Sequence, residues 1–389
     1  MYILTMLAFP SLLVLLLTAQ ANPQASQSNG FEQLAKQADA ARSADHLNEA
    51  LALYSKGVQL RPGWSEGWWS MGSVLYEQDR FREAQDAFRR FVATAPKPGP
   101  GYAFLALCEY ETHDYVGSLK NFQAWAKVGS PGNDALIDVA GFHWSLLLTR
   151  DGRFTESLYL LSAKARKLGD TPALSEAMGL ASLRMANLPE DYPPAKREMV
   201  WYAGQAALYY ARQDLQRSDE YAQRLGTRYG GEANVHFFLG TLFGFQRRFP
   251  EAAQEYRKEL QISPQHVPAM VELALAELEN YKPEEALPVA EHTVTLEPNN
   301  ARAHLAFGKA LLASERLPEA AHELELAKEL APESSAVRSA LANTYQRLGR
   351  LQEAKHEAQA FLALKDKEES LAPIEKKIEP PKHPEQAKP

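Results

Sequence analysis

Residues Ala301–Ser334, ARAHLAFGKALLASERLPEAAHELELAKELAPES, hold one complete structural unit. His304, Phe307, Gly308 and Leu311 recur at the i, i+3, i+4, i+7 spacing of one helix face, and Ala320, Leu324 and Ala327 mark a second helix. Small residues at Gly308 and Ala320 let the two helices approach closely. A large side chain there would overpack the contact, at about 1–3 kcal/mol. Pro332 ends the second helix, because it has no N–H for the preceding turn. The same position types return every 34 residues: Ala252, Ala286, Ala320 and Ala354; Pro264, Pro298 and Pro332; Gly240, Ala274, Gly308 and Ala342. The N-terminal half keeps the step in Ala50, Ala84 and Ser118, in Gly72 and Ala106, and in Pro62 and Pro96. Several position types locked to one period define a repeat architecture, in which each unit buries its apolar face only against its neighbours.

The joints carry helix punctuation. Gly152 and Gly349 stand where a first helix must end in a left-handed residue. Pro250-Glu251, Pro283-Glu284 and Pro318-Glu319 put proline at the first position of a second helix and an acid at its positive end. Pro288 falls inside a predicted helix and is expected to kink it.

These residues resemble the tetratricopeptide repeat. Trp68, Met71, Gly72, Leu75, Ala84, Phe88 and Pro96 follow its pattern, as do His236, Leu239, Gly240, Phe243, Ala252, Tyr256 and Pro264. Leu341, Ala342, Tyr345, Ala354 and Ala358 follow it again in the last unit. The resemblance covers about Phe31 to Leu364. It implies an all-α fold, a right-handed solenoid of antiparallel helix pairs with a concave groove lined by first helices. It implies binding rather than catalysis, with no cofactor and no metal.

Units fall at 31–64, 65–98, 99–132, 138–171, 199–232, 233–266, 267–300, 301–334 and 335–368, with Asn133 to Ile137 as an insertion. The domain plan is therefore an N-terminal array over 31–187, a Pro-rich junction at 188–198 and a C-terminal array over 199–364. At the junction Met178, Gly179 and Leu183 read as a first helix, but Pro189, Pro193 and Pro194 forbid a second one directly after it. Two geometries follow. An extended ten-residue loop reaches about 33 Å, more than the roughly 22 Å of a fifteen-residue helix. Such a loop could cross back and keep the superhelix in phase. Otherwise the next helix packs directly and antiparallel, which makes the helix count odd.

Outside the arrays, no charged side chain precedes Glu32, Ile3 to Leu17 is almost wholly apolar, and Ala19-Gln20-Ala21 has the small-x-small form of a cleavage site. Residues 1–21 read as a signal peptide of an exported, periplasmic or secreted protein. An uncleaved anchor formed by residues 2–19 is the alternative. Residues 22–30 read as a polar linker. Residues 365–389, with six Lys, six acids and five Pro, read as a disordered tail. The net charge of −7 disfavours nucleic acid, which calls for a basic patch. The single cysteine, Cys108, lies in an apolar helical run and reads as core.

No enzyme signature emerges. His322-Glu323 lacks the second histidine of a zinc-protease helix, Gly99-Pro100-Gly101 sits at a unit boundary, and there is no Gly-x-Ser-x-Gly elbow. His266, His292, His304 and His322 are 26, 12 and 18 apart, which places no pair one turn apart, and His304 occupies a bulky core position. What remains is the groove implied by the resemblance: Trp69, Tyr76, Tyr110, Phe142, Tyr210, Phe237 and Phe245 form an aromatic stripe on first helices, and Lys309 and Asn343 follow it. Exposed rings would be good anchors for an extended or helical peptide. The same rings would equally serve as packing between neighbouring helices. Some members of the family grip a C-terminal carboxylate with Lys and Asn on successive first helices, and only Lys309 and Asn343 hold such positions here. The expected function is an exported scaffold that binds a protein or peptide partner. A membrane-anchored envelope assembly factor or co-chaperone is the alternative, and an enzyme of unrecognised type is the third reading.

Overall fold

The computed structural model describes residues 23–128 and 132–371. Among them lie 19 α-helices, one 3-10 turn and no strand. They group into two compact units, Met1–Asp114 and Tyr115–Pro389.

The first unit holds α1 (Pro23–Ser43), α2 (Leu47–Leu60), α3 (Ser65–Glu77), α4 (Phe81–Thr94) and α5 (Gly99–Glu111). The second opens with α6 (Tyr115–Val128), α7 (Asp134–Arg150), α8 (Phe154–Leu168) and α9 (Pro172–Ser182). It continues through α10 (Arg197–Ala211), α11 (Leu215–Tyr229), α12 (Val235–Phe245), α13 (Phe249–Ile262) and α14 (Val267–Glu279). It closes with α15 (Pro283–Leu296), α16 (Ala301–Ala313), α17 (Leu317–Leu330), α18 (Ser335–Arg347) and α19 (Leu351–Leu371).

Inside each unit, helices pack on their chain neighbours, and the core is distributed along the array rather than gathered at one centre. The small position of the first helix accepts a large side chain from the second. A Cβ on Gly308 would lie 2.6 Å from Leu324, one on Gly240 2.6 Å from Tyr256, and one on Gly72 2.9 Å from Phe88. The alanines of the opposite position, Ala84, Ala252, Ala286 and Ala320, are fully buried. Where serine replaces them, its hydroxyl is satisfied by a carbonyl of the first helix: Ser157 donates to Ser145 O at 2.8 Å and Ser218 to Ala206 O at 2.8 Å. Cys108 is buried among apolar neighbours, and burial pushes its thiol up to about 12, so it packs as a small hydrophobe.

First helices end in the left-handed turn that the glycines announced, with Gly152 at φ 79° and Gly349 at φ 75°. At the other joints Asp45, Asp79, His113, Gln213, Arg247, Tyr281 and Glu315 adopt it without glycine. Pro288 lies inside α15, which continues past it to Leu296.

Three boundaries differ from the sequence reading. Residues 23–30, read as linker, belong to α1; once Phe31, Leu34, Ala38 and Ala41 pack, each added helical residue costs only propagation, and Pro23 suits a first turn. At the other end α19 runs on to Leu371, because Lys365 to Leu371 is rich in helix formers. The remainder of the tail and residues 1–21 lie outside the described residues. The insertion at Asn133 to Ile137 is no spacer: Asn133 caps α7, accepting from Leu136 N–H, and the residues after it form an extra helical turn.

The junction takes the second of the two geometries. A Cβ on Gly179 would lie 2.0 Å from the Val200 carbonyl oxygen, and one on Gly204 1.8 Å from that of Ser175. Position 179 therefore meets 200 and 175 meets 204, so α9 and α10 run antiparallel with their backbones in contact. Gln205 Nε2 donates to Ser175 Oγ at 2.7 Å and seals the crossing. The Pro-rich loop does not cross back. It is pinned by Leu188, fully buried, and by Tyr192, whose hydroxyl donates to Glu176 at 2.5 Å; a 3-10 turn at Pro194–Lys196 then leads into α10.

Candidate functional site

The first-helix stripe divides into rings that are used up in packing and rings that are not. In the first unit Trp69 touches Phe88, Phe91 and Phe104 at centroid distances of 5.7, 5.1 and 5.4 Å. Tyr76 packs edge-on against Phe81 and Phe104, and burial raises its hydroxyl to about 12. Both rings brace α3 against α4 and α5. Tyr110 is half-buried on α5.

In the second unit Phe237 is buried against Tyr256 and His266. Phe245, at the end of α12, is 65% exposed and stacks on Tyr210 of α10, with centroids 6.0 Å apart and planes 18° from parallel. Leu275 and Leu278 on α14 and Leu305 on α16 continue the face half-buried. Lys309 is half-buried on α16, and Asn343 is exposed on α18. No hydrogen bond joins Lys309 to Asn343.

Phe142 belongs to a different place. It lines an apolar cleft of about 250 Å³ with Val139, His143, Lys164, Ala173 and Leu174. Lys164 is buried there, and its ammonium donates to the Asp138 carbonyl at 2.5 Å and reaches that of Ile137 at 3.4 Å. Gly141 leaves room for it; a Cβ would stand 3.3 Å from Lys164 Cε. Burial pulls the ammonium down to about 8. The carbonyls occupy its donors, so it braces α8 on α7.

A larger cleft, about 500 Å³, opens between α11 and the α12–α13 hairpin, lined by Asp219, Gln223, His236, Leu239, Arg248, Glu255 and Lys258 among others. Its charges answer one another: Arg248 pairs with Asp219 at 2.9 Å, His236 Nδ1 with Glu255 at 2.5 Å and Lys258 with Glu255 at 2.6 Å. Burial works against the Glu255 carboxylate, yet the bonds from His236 and Lys258 hold it below the usual range. No nucleophile beside a free base is set up here.

Sequence reasoning missed a polar brace that also keeps the 34-residue step. His304 is buried, with Nδ1 on Glu323 at 2.7 Å and Nε2 on the Pro298 carbonyl at 2.8 Å. One unit later Arg338 pairs with Glu357 at 2.7 Å and donates to the Pro332 carbonyl at 3.0 Å. In the first unit Trp68 Nε1 donates to the Pro62 carbonyl at 2.8 Å. His236 and Glu255 lie two periods before His304 and Glu323. That spacing was the signal in the chain; the changing residue type concealed it.

A tetratricopeptide-repeat family model matches residues 70–134, and a second matches 277–343. Among solved structures the chain is similar to MamA, residues 41 to the end, from Desulfovibrio magneticus RS-1, at 19% identity over 44% of this chain and 96% of that one, with a TM-score of 0.39. It is also similar to YrrB, described as a TPR protein with an unusual peptide-binding site, at 20% identity over 47% of this chain and 94% of that one, with a TM-score of 0.36. No curated protein matches it.

Proposed function

We propose that this chain, two stretches of which match tetratricopeptide-repeat family models, is a protein–protein interaction scaffold whose second unit binds a peptide segment of a partner along the first-helix face of α10, α12, α14 and α16. The observation that carries this reading is the Tyr210–Phe245 stack, a paired aromatic platform of which Phe245 keeps 65% of its surface in solvent. An exposed stacked ring contributes apolar area at little cost in side-chain entropy, which is what an interface anchor requires. Leu275 and Leu278 on α14 and Leu305 on α16 are half-buried on the first helices that follow. Trp69 and Tyr76, half-buried, and Phe237, buried, also pack against neighbouring rings, so the reading rests on the exposed Phe245 rather than on them.

The test is affinity capture with the Tyr210→Ala, Phe245→Ala double variant. We expect the partner to be lost from the eluate while the melting curve stays within a few degrees of the parent. Unchanged capture would remove the platform from the reading.

We infer also that the protein is exported. The apolar run from Ile3 to Leu17 and the Ala19-Gln20-Ala21 site support cleavage before Asn22. N-terminal sequencing of purified material should begin at Asn22. Recovery of the uncleaved chain in membranes would favour the anchored form. Among the described residues no helix is long and apolar enough to cross a membrane.

A further inference from the structure

Where the chain departs from its period, one half-buried cation, Arg184, has no carboxylate bonded to it among the described residues. Arg184 follows α9 at φ 54°, where Arg184 N–H donates to Ala181 O and Met185 N–H to Leu180 O, the same left-handed turn that closes the other first helices. Elsewhere the turn delivers the chain straight into a second helix. Here the chain enters the Pro-rich loop instead, and Arg184 is half-buried where Asp45, Asp79, Gln213, Arg247, Tyr281 and Glu315, at the same turn position, are exposed.

That side chain lies 4.7 Å over the Phe154 ring of α8 and 5.5 Å over the Phe237 ring of α12. It is half-buried, and burial alone pulls its guanidinium below the usual arginine range, with no carboxylate countering it. Among the described residues it takes part in no side-chain hydrogen bond or ion pair. The acid that shares its surroundings, Glu259, is committed: its oxygens accept Asn234 N–H at 2.9 Å and Phe237 N–H at 3.2 Å. His266 is occupied as well, with one ring nitrogen on Ala269 N–H and the other on Asn234 Oδ1.

Contact with the rings orients the guanidinium but uses none of its in-plane donors, which form a fork matched to a carboxylate. Phe237 and Phe245 stand at opposite ends of α12, about 12 Å apart along its axis. That is the span of about four extended residues. We propose that Arg184 is the acid-reading residue of this surface: it receives the carboxylate of an Asp or Glu side chain in an extended partner segment whose apolar residue lies on the Tyr210–Phe245 stack. The proposal rests on the peptide-binding reading for the segment, but the carboxylate site can be tested without it.

The full chain, with ¹⁵N-labelled arginine side chains, is titrated with benzoate, benzamide and sulfate, and the Arg184 Nε–H resonance is assigned by its loss in Arg184→Gln. Benzoate should shift it saturably and bind about tenfold tighter than its neutral isostere benzamide. Arg184→Lys should keep weakened benzoate binding, and Arg184→Gln should abolish it with the circular dichroism spectrum unchanged. Equal response to benzoate and benzamide, or full benzoate binding by Arg184→Gln, overturns the proposal. Sulfate matching benzoate also overturns it and makes the site one for inorganic anions.

A random peptide library displayed against the parent should yield an acid about four positions from an apolar residue. Selection against Arg184→Gln should lose the acid and keep the apolar residue. Ligands without an acid on the parent defeat Arg184 and leave the surface standing. No ligands on either protein defeat the peptide-binding reading, and the benzoate titration then judges Arg184 by itself.

Discussion

At Tyr281 the backbone is left-handed, φ 60°, while the side chain is 92% exposed and does nothing that would repay the strain. A non-glycine residue in this region costs about 1–2 kcal/mol, against about 0.5–1 kcal/mol for the extra freedom of glycine in the unfolded chain. Tyr281→Gly should therefore raise stability by roughly 0.5–1 kcal/mol, seen as a small upward shift in thermal unfolding. A lower melting temperature would show that Tyr281 has a role which its exposure conceals. Gly152 and Gly349 announced the turn in the chain; Asp45, Arg247, Tyr281 and Glu315 did not, although they adopt it. Their left-handed conformation is enforced by the helices on either side, so residue type was free to vary. Arg184 illustrates the same limit, since a lone arginine after a helix reads as ordinary surface until its neighbours are known.

The helix pair α9–α10 shows what small residues do at the level of elements. Gly179 and Gly204 each face a carbonyl oxygen of the opposite backbone, closer than any side chain would permit. Overpacking against backbone leaves no rotamer to absorb the clash, so Gly179→Ala and Gly204→Ala should each cost more than about 3 kcal/mol, above the usual range for added methyl groups. Gly231→Ala, which meets nothing within 4 Å, is the neutral control. Chemical denaturation of the three variants would settle it; a glycine variant at the crossing as stable as the control would refute the backbone contact. Gly179 was legible as the small position of a first helix. The partner face was not, because the prolines between the helices exclude a helix without specifying where the chain goes next.

Across the whole chain, stability is a sum of units and their nearest-neighbour contacts, so protection need not be uniform. Most of α9 and most of α10 are buried. By contrast α19 leaves Leu351 and Leu362 largely exposed. Hydrogen exchange should be slowest in α9 and α10 and fastest in the last turns of α19. Slower exchange in α16 or α17 than in α10 would mean that the α9–α10 crossing is not the most stable part of the second unit.

Helix pairs at a fixed step, their small crossing residues and their proline stops could be read from the chain alone, because each depends on local backbone chemistry and on one neighbour of the same kind. The fate of the aromatic stripe could not. A ring at a first-helix position is the same residue whether Phe88 and Phe104 close over it, as they do at Trp69, or solvent does, as at Phe245. Tertiary packing made that choice, together with the direct seating of α10 on α9 and the isolation of Arg184, since each depends on side-chain volumes and charges brought together from distant parts of the chain.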